Sequence, residues 1–282
     1  MKNYKIDNIL FPTDFSETAG KAQIKAIELS KKLNARLVFI HVVEIPAYAP
    51  HVEMISIGMV TETMIDSAKQ KLKELSTKAK EEHGIRVDYS CYSGHVYDNI
   101  IRAAHLANAD LIVMGTHGTS GISEWLFGSN AFSVVNNTTI PVLTINFHSD
   151  QNTFQKIVFP FNENLLTLKK INQVIALAKT FNSTVLLLGF AGENSNEELV
   201  SLHKKGEELS RAFTTENIRN TFSMSLGNNY ADEILQFAAK EKADMITVAT
   251  NRDHTIGHVF ESKPEKKLVN HSEIPVLSIP VE

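Results

Sequence analysis

Ile9-Leu10-Phe11-Pro12-Thr13-Asp14 is the stretch to start from, because a variant of it, Ile157-Val158-Phe159-Pro160-Phe161-Asn162, returns 148 residues later. One apolar run leading into a proline turn says little. The same run twice in one chain signals an internal repeat, which must be found before any element is assigned. Working outward, each copy continues through a helical stretch into a matching turn, Leu33-Asn34-Ala35 or Phe181-Asn182-Ser183. A second apolar run follows, Leu37–Ile40 or Val185–Leu188. Further on, Ala109-Asp110-Leu111-Ile112 aligns with Ala243-Asp244-Met245-Ile246 at an offset of 134. The match runs ungapped to Ile140-Pro141-Val142-Leu143 against Ile274-Pro275-Val276-Leu277. The smaller offset requires a deletion in the second copy, where Ile45–Val60 gives way to a short Ala-Gly-Glu-Asn-Ser-Asn run. The polar stretch Asn146–Thr153 separates the copies, so the expected domains are 1–148 and 153–282.

Periodicity assigns the elements. Ala19, Ala22, Ala26, Leu29 and Leu33 recur at helical spacing, as do Ile65, Ala68, Leu72, Leu75 and Ala79 before a C-capping Gly84. The counterpart of this second stripe is Leu199, Leu202, Gly206, Leu209 and Phe213. Val96, Ile100, Ala103 and Ala107 mark a third helix and Ser129–Asn137 a last one. Between them lie short apolar strands at Ile6–Phe11, Leu37–Val43, Leu111–Met114 and Val142–Ile145, with Val87, Tyr89 and Cys91 alternating as another. Cys91 is therefore expected to be a small buried apolar side chain. Strand and helix in alternation predict an α/β protein of two tandem doubly wound domains. Each is expected to be a five-stranded, mostly parallel sheet with helices on both faces. Such sheets bind ligands at the carboxyl ends of their strands, where the strand order reverses.

Composition narrows the function classes. The chain has 282 residues, 43% hydrophobic and 21% charged, with a net charge of -4. No basic stripe suggests nucleic acid. No apolar run approaches the roughly 20 residues of a membrane span. The opening MKNYKIDNILFPTDF carries no signal-peptide pattern, and one cysteine permits no internal disulfide. The expectation is a cytoplasmic protein that binds neither nucleic acid nor membrane.

The fourth strand ends in Met114-Gly115-Thr116-His117-Gly118, and ten residues beyond Gly118 stands Gly128-Ser129. Gly115 and Gly118 allow close approaches that a Cβ would block. Gly128-Ser129 opens a helix whose free N–H groups and positive dipole end favour a phosphate. Ser129 either caps that helix or offers its hydroxyl to a phosphate oxygen, and Asn130 stands beside it. Asp14 reads either as a ligand residue or as the N-cap of the first helix, with Ser16 as its rival.

The spacing Gly, two residues, Gly, nine residues, Gly-Ser resembles the ATP-binding signature of the universal stress protein family. The turn at Asp14 and the Ile140-Pro141-Val142 ending are similar too, and the resemblance covers nearly the whole chain twice. It implies an adenine nucleotide α-hydrolase-like fold that binds ATP, with Mg²⁺ on the phosphates. It implies that Pro12, Thr13 and Asp14 hold the ribose and adenine edge and that the backbone of Val42 meets the adenine. Gly115, Gly118, Gly128 and Ser129 would surround the phosphates, and Met114, His117 and Asn130 stand beside them as further nucleotide-binding candidates. Thr119 stands where many members carry a basic residue, which removes one phosphate neutraliser. No catalytic or metal-ligating residue is assigned.

In the second copy the signature positions read Ala249, Arg252, Ser262 and Lys263, followed by Pro264, and Asp14 becomes Asn162. The glycines are gone, so nucleotide is expected in the first domain alone. Arg252, His254, His258 and Lys263 form either a solvated loop or a different anion site; as a zinc site, His254 and His258 lack further ligands.

The expected function is a nucleotide-binding stress-response regulator. Its last strands, Val142–Ile145 and Val276–Ile279, would pair the domains as an internal pseudo-dimer or pair two chains as a homodimer. Two alternatives stand beside it. One is a slow ATP hydrolase, although the chain has no P-loop and no Gly-x-Ser-x-Gly elbow. The other is a nucleotide-independent scaffold that uses the apolar Met54, Ile55, Ile57 and Met59.

Overall fold

The two repeats become two successions of strand and helix in the same order. In a computed structural model, the structure describes residues 5–44, 54–116, 128–146, 154–162, 168–191, 196–227, 229–251 and 264–281. The first succession is β1 (Asn8–Pro12), α1 (Glu17–Leu33), β2 (Arg36–Val43), α2 (Met54–His83), β3 (Val87–Ser93), α3 (Val96–Leu106), β4 (Leu111–Gly115), α4 (Ser129–Asn137) and β5 (Val142–Ile145). The second is β6 (Lys156–Phe161), α5 (Leu168–Phe181), β7 (Thr184–Ala191), α6 (Asn196–Thr215), β8 (Arg219–Leu226), α7 (Tyr230–Glu241), β9 (Met245–Asn251), α8 (Pro264–His271) and β10 (Val276–Val281). Contacts group the chain into two compact units that divide at the start of β5.

In the N-terminal unit the strands lie in the order β3-β2-β1-β4. All three pairings are parallel, with Ile9 beside Leu37 on one side and Leu111 on the other. The second unit repeats the plan as β8-β7-β6-β9-β10, again parallel throughout. β1 therefore has β2 on one flank and β4 on the other, which makes its carboxyl end the switch point of the sheet. Its Ile9, Leu10 and Phe11 are fully buried, and Phe11 meets Phe39 edge-on at 5.5 Å between centroids. That core anchors the turn that follows.

The sequence repeats have local physical causes. Asn34 and Asn182 sit at φ 52° and 54°, ending α1 and α5 in the left-handed conformation that asparagine tolerates better than most residues. Asp110 accepts from the N–H groups of Asp7 and Asn8 at 2.9 and 3.0 Å, tying the start of β1 to the loop before β4. Asp244 does the same for Gln155 and Lys156, at 2.8 and 2.9 Å. The Ala-Asp anchor recurs because each β1-type strand needs a carboxylate to take its leading amides.

One sequence expectation changes here, and one segment acquires a defined structure. Cys91 is half-buried rather than buried, and desolvation raises its thiol pKa. It lies on β3, the edge strand beside β2 among the described strands, and the exposure along β3 does not alternate. The Ile45–Val60 segment is helical from Met54, so much of the length difference between copies is helix: α2 has 30 residues and α6 has 20. Met59 and Val60 are exposed on that helix, while the side chains of Met54, Ile55 and Ile57 lie outside the described residues. Among the described residues no helix is long and apolar enough to cross a membrane.

Candidate functional site

The site grows from the turn after β1. Thr13 is buried, and its N–H still continues the sheet by donating to the Ile40 carbonyl at 2.9 Å. Its Oγ1 accepts from Phe15 N–H at 3.0 Å, and Asp14 Oδ1 accepts from Ser16 N–H at 3.0 Å. Ser16 then caps α1, its hydroxyl accepting from Ala19 N–H at 3.2 Å. The rivalry between Asp14 and Ser16 is thus resolved: Ser16 is the cap, and Asp14 braces the turn. Phe15 has φ 62°, a strained conformation for a bulky residue. Its ring stacks on His41 at 4.7 Å, and His41 Nδ1 lies 2.7 Å from the Thr13 carbonyl. A carbonyl only accepts, so this contact assigns the ring proton to Nδ1.

From the other side come β4 and α4. Gly115 packs on the start of α1 so closely that a Cβ would stand 3.2 Å from Thr18 Cγ2. Gly128 donates to the Thr116 carbonyl at 2.7 Å and is itself the N-cap of α4, with no side-chain cap. Ser129 is consequently the first helical residue and does not cap. The first turn of α4 is left to bind through its main chain, as an anion site requires.

Pro12, Thr13, Asp14, Val42, Met114, Gly115, Gly128, Ser129 and Asn130 all line one cavity of about 440 Å³. His117 and Gly118 lie outside the described residues, as do Arg252, His254, His258, Ser262 and Lys263. The same cavity takes residues that motif reading passed over: His41 and Glu44 on and after β2, Met64 of α2, and Val96 and Ile100 of α3. Val96 and Ile100 sit on a stripe legible as core; what no local pattern says is that its first turn faces a hollow.

The universal stress protein family profile matches residues 5–146 and again 153–280. The chain belongs to the universal stress protein family. A universal stress protein of Methanocaldococcus jannaschii is 31% identical over 137 residues, spanning 49% of this chain and 80% of its own. Universal stress protein YxiE of Bacillus subtilis is 30% identical over 146 residues, spanning 49% of this chain and 98% of its own. A solved universal stress protein from Archaeoglobus fulgidus superposes with a TM-score of 0.76 at 16% identity, covering 98% of this chain and 97% of that one. The last likeness speaks to fold alone.

The second universal stress protein domain is built differently at the same place. At the equivalents of Val42 and Val96 stand Phe190 and Tyr230, whose rings meet edge-on at 5.3 Å. Ile234 and Val248, at the places of Ile100 and Met114, join Phe190 in one apolar cluster. Thr13 is replaced by Phe161, fully buried. Ala22 is replaced by Lys170, also buried, whose Nζ donates to the Pro160 carbonyl at 2.6 Å and sits 4.5 Å over the Phe159 ring. Ala249, in the place of Gly115, is buried too. Aromatic and aliphatic bulk at the strand ends, rather than the loop glycines alone, separates the two domains.

Proposed function

We propose that this chain is a cytoplasmic stress-response regulator that binds an adenine nucleotide, ATP with Mg²⁺, in its N-terminal domain only. The observation that carries the reading is the convergence of the Asp14 turn, Val42 and the Gly128-Ser129 helix start on a single cavity. Its size suits a small-molecule site, and its walls combine apolar side chains with a few convergent polar groups. The apolar walls at Val42, Met114 and Ile100 fit a flat base, and the Asp14 carboxylate fits ribose hydroxyls. The uncapped first turn of α4 fits phosphate. Among the described residues no group of three His, Cys, Asp or Glu side chains is arranged to hold a metal ion. Mg²⁺ fits this site as an ion borne mainly by the nucleotide's own phosphates, as is usual for it.

The larger Phe190, Tyr230 and Phe161 at the equivalent positions support a second domain that acts as a structural partner. Pairing of the two domains through their last strands, and of two chains in a homodimer, belongs to the same reading. Equilibrium dialysis with labelled ATP and Mg²⁺ tests it: saturation at one nucleotide per chain is expected. Two per chain, or none at millimolar nucleotide with the protein folded, would reject it.

A further inference from the structure

We infer that the N-terminal cavity sorts adenine ligands by charge, accepting weakly charged ones directly and a triphosphate only in company with a divalent cation. The inference rests on the nucleotide reading above and adds a rule about which ligand the same site takes.

The described walls carry two carboxylates, Asp14 and Glu44, and among the described lining residues there is no lysine or arginine. The sequence extends this beyond those walls. Every lining residue falls within 6–20, 37–68, 87–101 or 103–155, stretches without a lysine or an arginine that are bounded by Lys5, Lys21, Arg36, Lys69, Arg86, Arg102 and Lys156. Between them they hold Asp7, Glu17, Glu53, Glu62, Asp66, Asp88, Asp98, Asp110, Glu124 and Asp150 besides Asp14 and Glu44. Lysines Lys71 and Lys78 line a neighbouring hollow of about 420 Å³ instead, together with Glu74. There Lys71 sits 5.2 Å over the Phe15 ring. Among the described lining residues the positive contribution is the main chain at the start of α4, equivalent to about half a charge. Half a charge partly offsets the charge of a single phosphate. It does not offset a metal-free triphosphate facing two carboxylates on a chain of net charge -4.

The consequence is opposite in sign to ordinary phosphate recognition. Where lysines and arginines hold a phosphate, salt weakens binding by screening an attraction. Here the long-range interaction with metal-free ATP is repulsive, so salt strengthens binding.

The test is calorimetric titration of the full chain with adenosine, AMP and ATP, each in Mg²⁺ and in EDTA, at about 20 mM and about 300 mM salt, conditions that change the screening length several-fold. In EDTA the affinity should fall in the order adenosine, AMP, ATP, with ATP about tenfold or more weaker than in Mg²⁺. Metal-free ATP should bind more tightly at the higher salt. Glu44→Gln should raise the ratio of ATP to adenosine affinity in EDTA several-fold. ATP binding equally well in EDTA, or weakening with salt, overturns the charge rule while leaving the nucleotide reading intact. Failure of all three ligands in every condition overturns that reading, and the rule with it.

Discussion

Giving the first domain the aromatic pair of the second should close its cavity without harming its fold. The perturbation is Val42→Phe with Val96→Tyr. In the second domain Phe190 is buried and meets Tyr230 edge-on at 5.3 Å, so the geometry the new pair must adopt already exists in this chain. Val42 is buried at the cavity wall and Val96 is half-buried beside it, so the added rings project into space of about 440 Å³ rather than into packed core. Burial of one large apolar side chain is worth about 1.5–3 kcal/mol and an edge-on aromatic pair about 0.5–1.5 kcal/mol more. A ligand must displace one ring to bind, losing most of both, about 2–4 kcal/mol, which is roughly thirty- to several-hundredfold in affinity. Thermal unfolding of the double variant should match or exceed the parent, while titration with Mg²⁺ and ATP shows this loss. Parental affinity in a correctly folded double variant would refute the claim that the cavity is the site. A collapse of thermal stability would refute the claim that the space is free.

Other outcomes follow from particular contacts. Asp110→Ala leaves the amides of Asp7 and Asn8 without their acceptor and should cost about 2–3 kcal/mol by urea denaturation. Gly206→Ala sets helix propensity against sterics in α6: the change gains about 1 kcal/mol of propensity, yet its Cβ would lie 2.1 Å from Phe222 Cζ. Overpacking costs about 1–3 kcal/mol, so the variant should be destabilised, and adding Phe222→Ala should turn the effect favourable relative to Phe222→Ala alone. Asp232 is hydrogen-bonded by Lys267 at 2.7 Å, which lowers its pKa. Its contribution to stability is therefore complete above the ordinary aspartate range and lost as pH falls through the lowered value. Lys267→Met should flatten that acid limb of a stability-against-pH curve; an unchanged limb would remove the pair from the account.

The repeat, the α/β alternation and the family were all legible without coordinates, because each rests on local regularities. Asn34 and Asn182 recur where a helix ends left-handed, Asp110 and Asp244 where a strand needs its first amides accepted, and Gly115 where helix α1 presses on a strand end. Each requirement is met by one residue type in a short recognisable motif, so it leaves a legible mark in the sequence even where its partner lies about a hundred residues away. The cavity is another matter. Val96, Tyr230, Val42 and Phe190 look like ordinary core positions in sequence, and Lys170 in the place of Ala22 sets a lysine on an apolar helical stripe with no local sign of where its charge goes. Only folding brings the ends of β1, β2 and β4 and the first turns of α3 and α4 around one space. Whether that space stays open or fills depends on summed side-chain volume across segments far apart in the chain, a quantity that no single stretch of sequence carries.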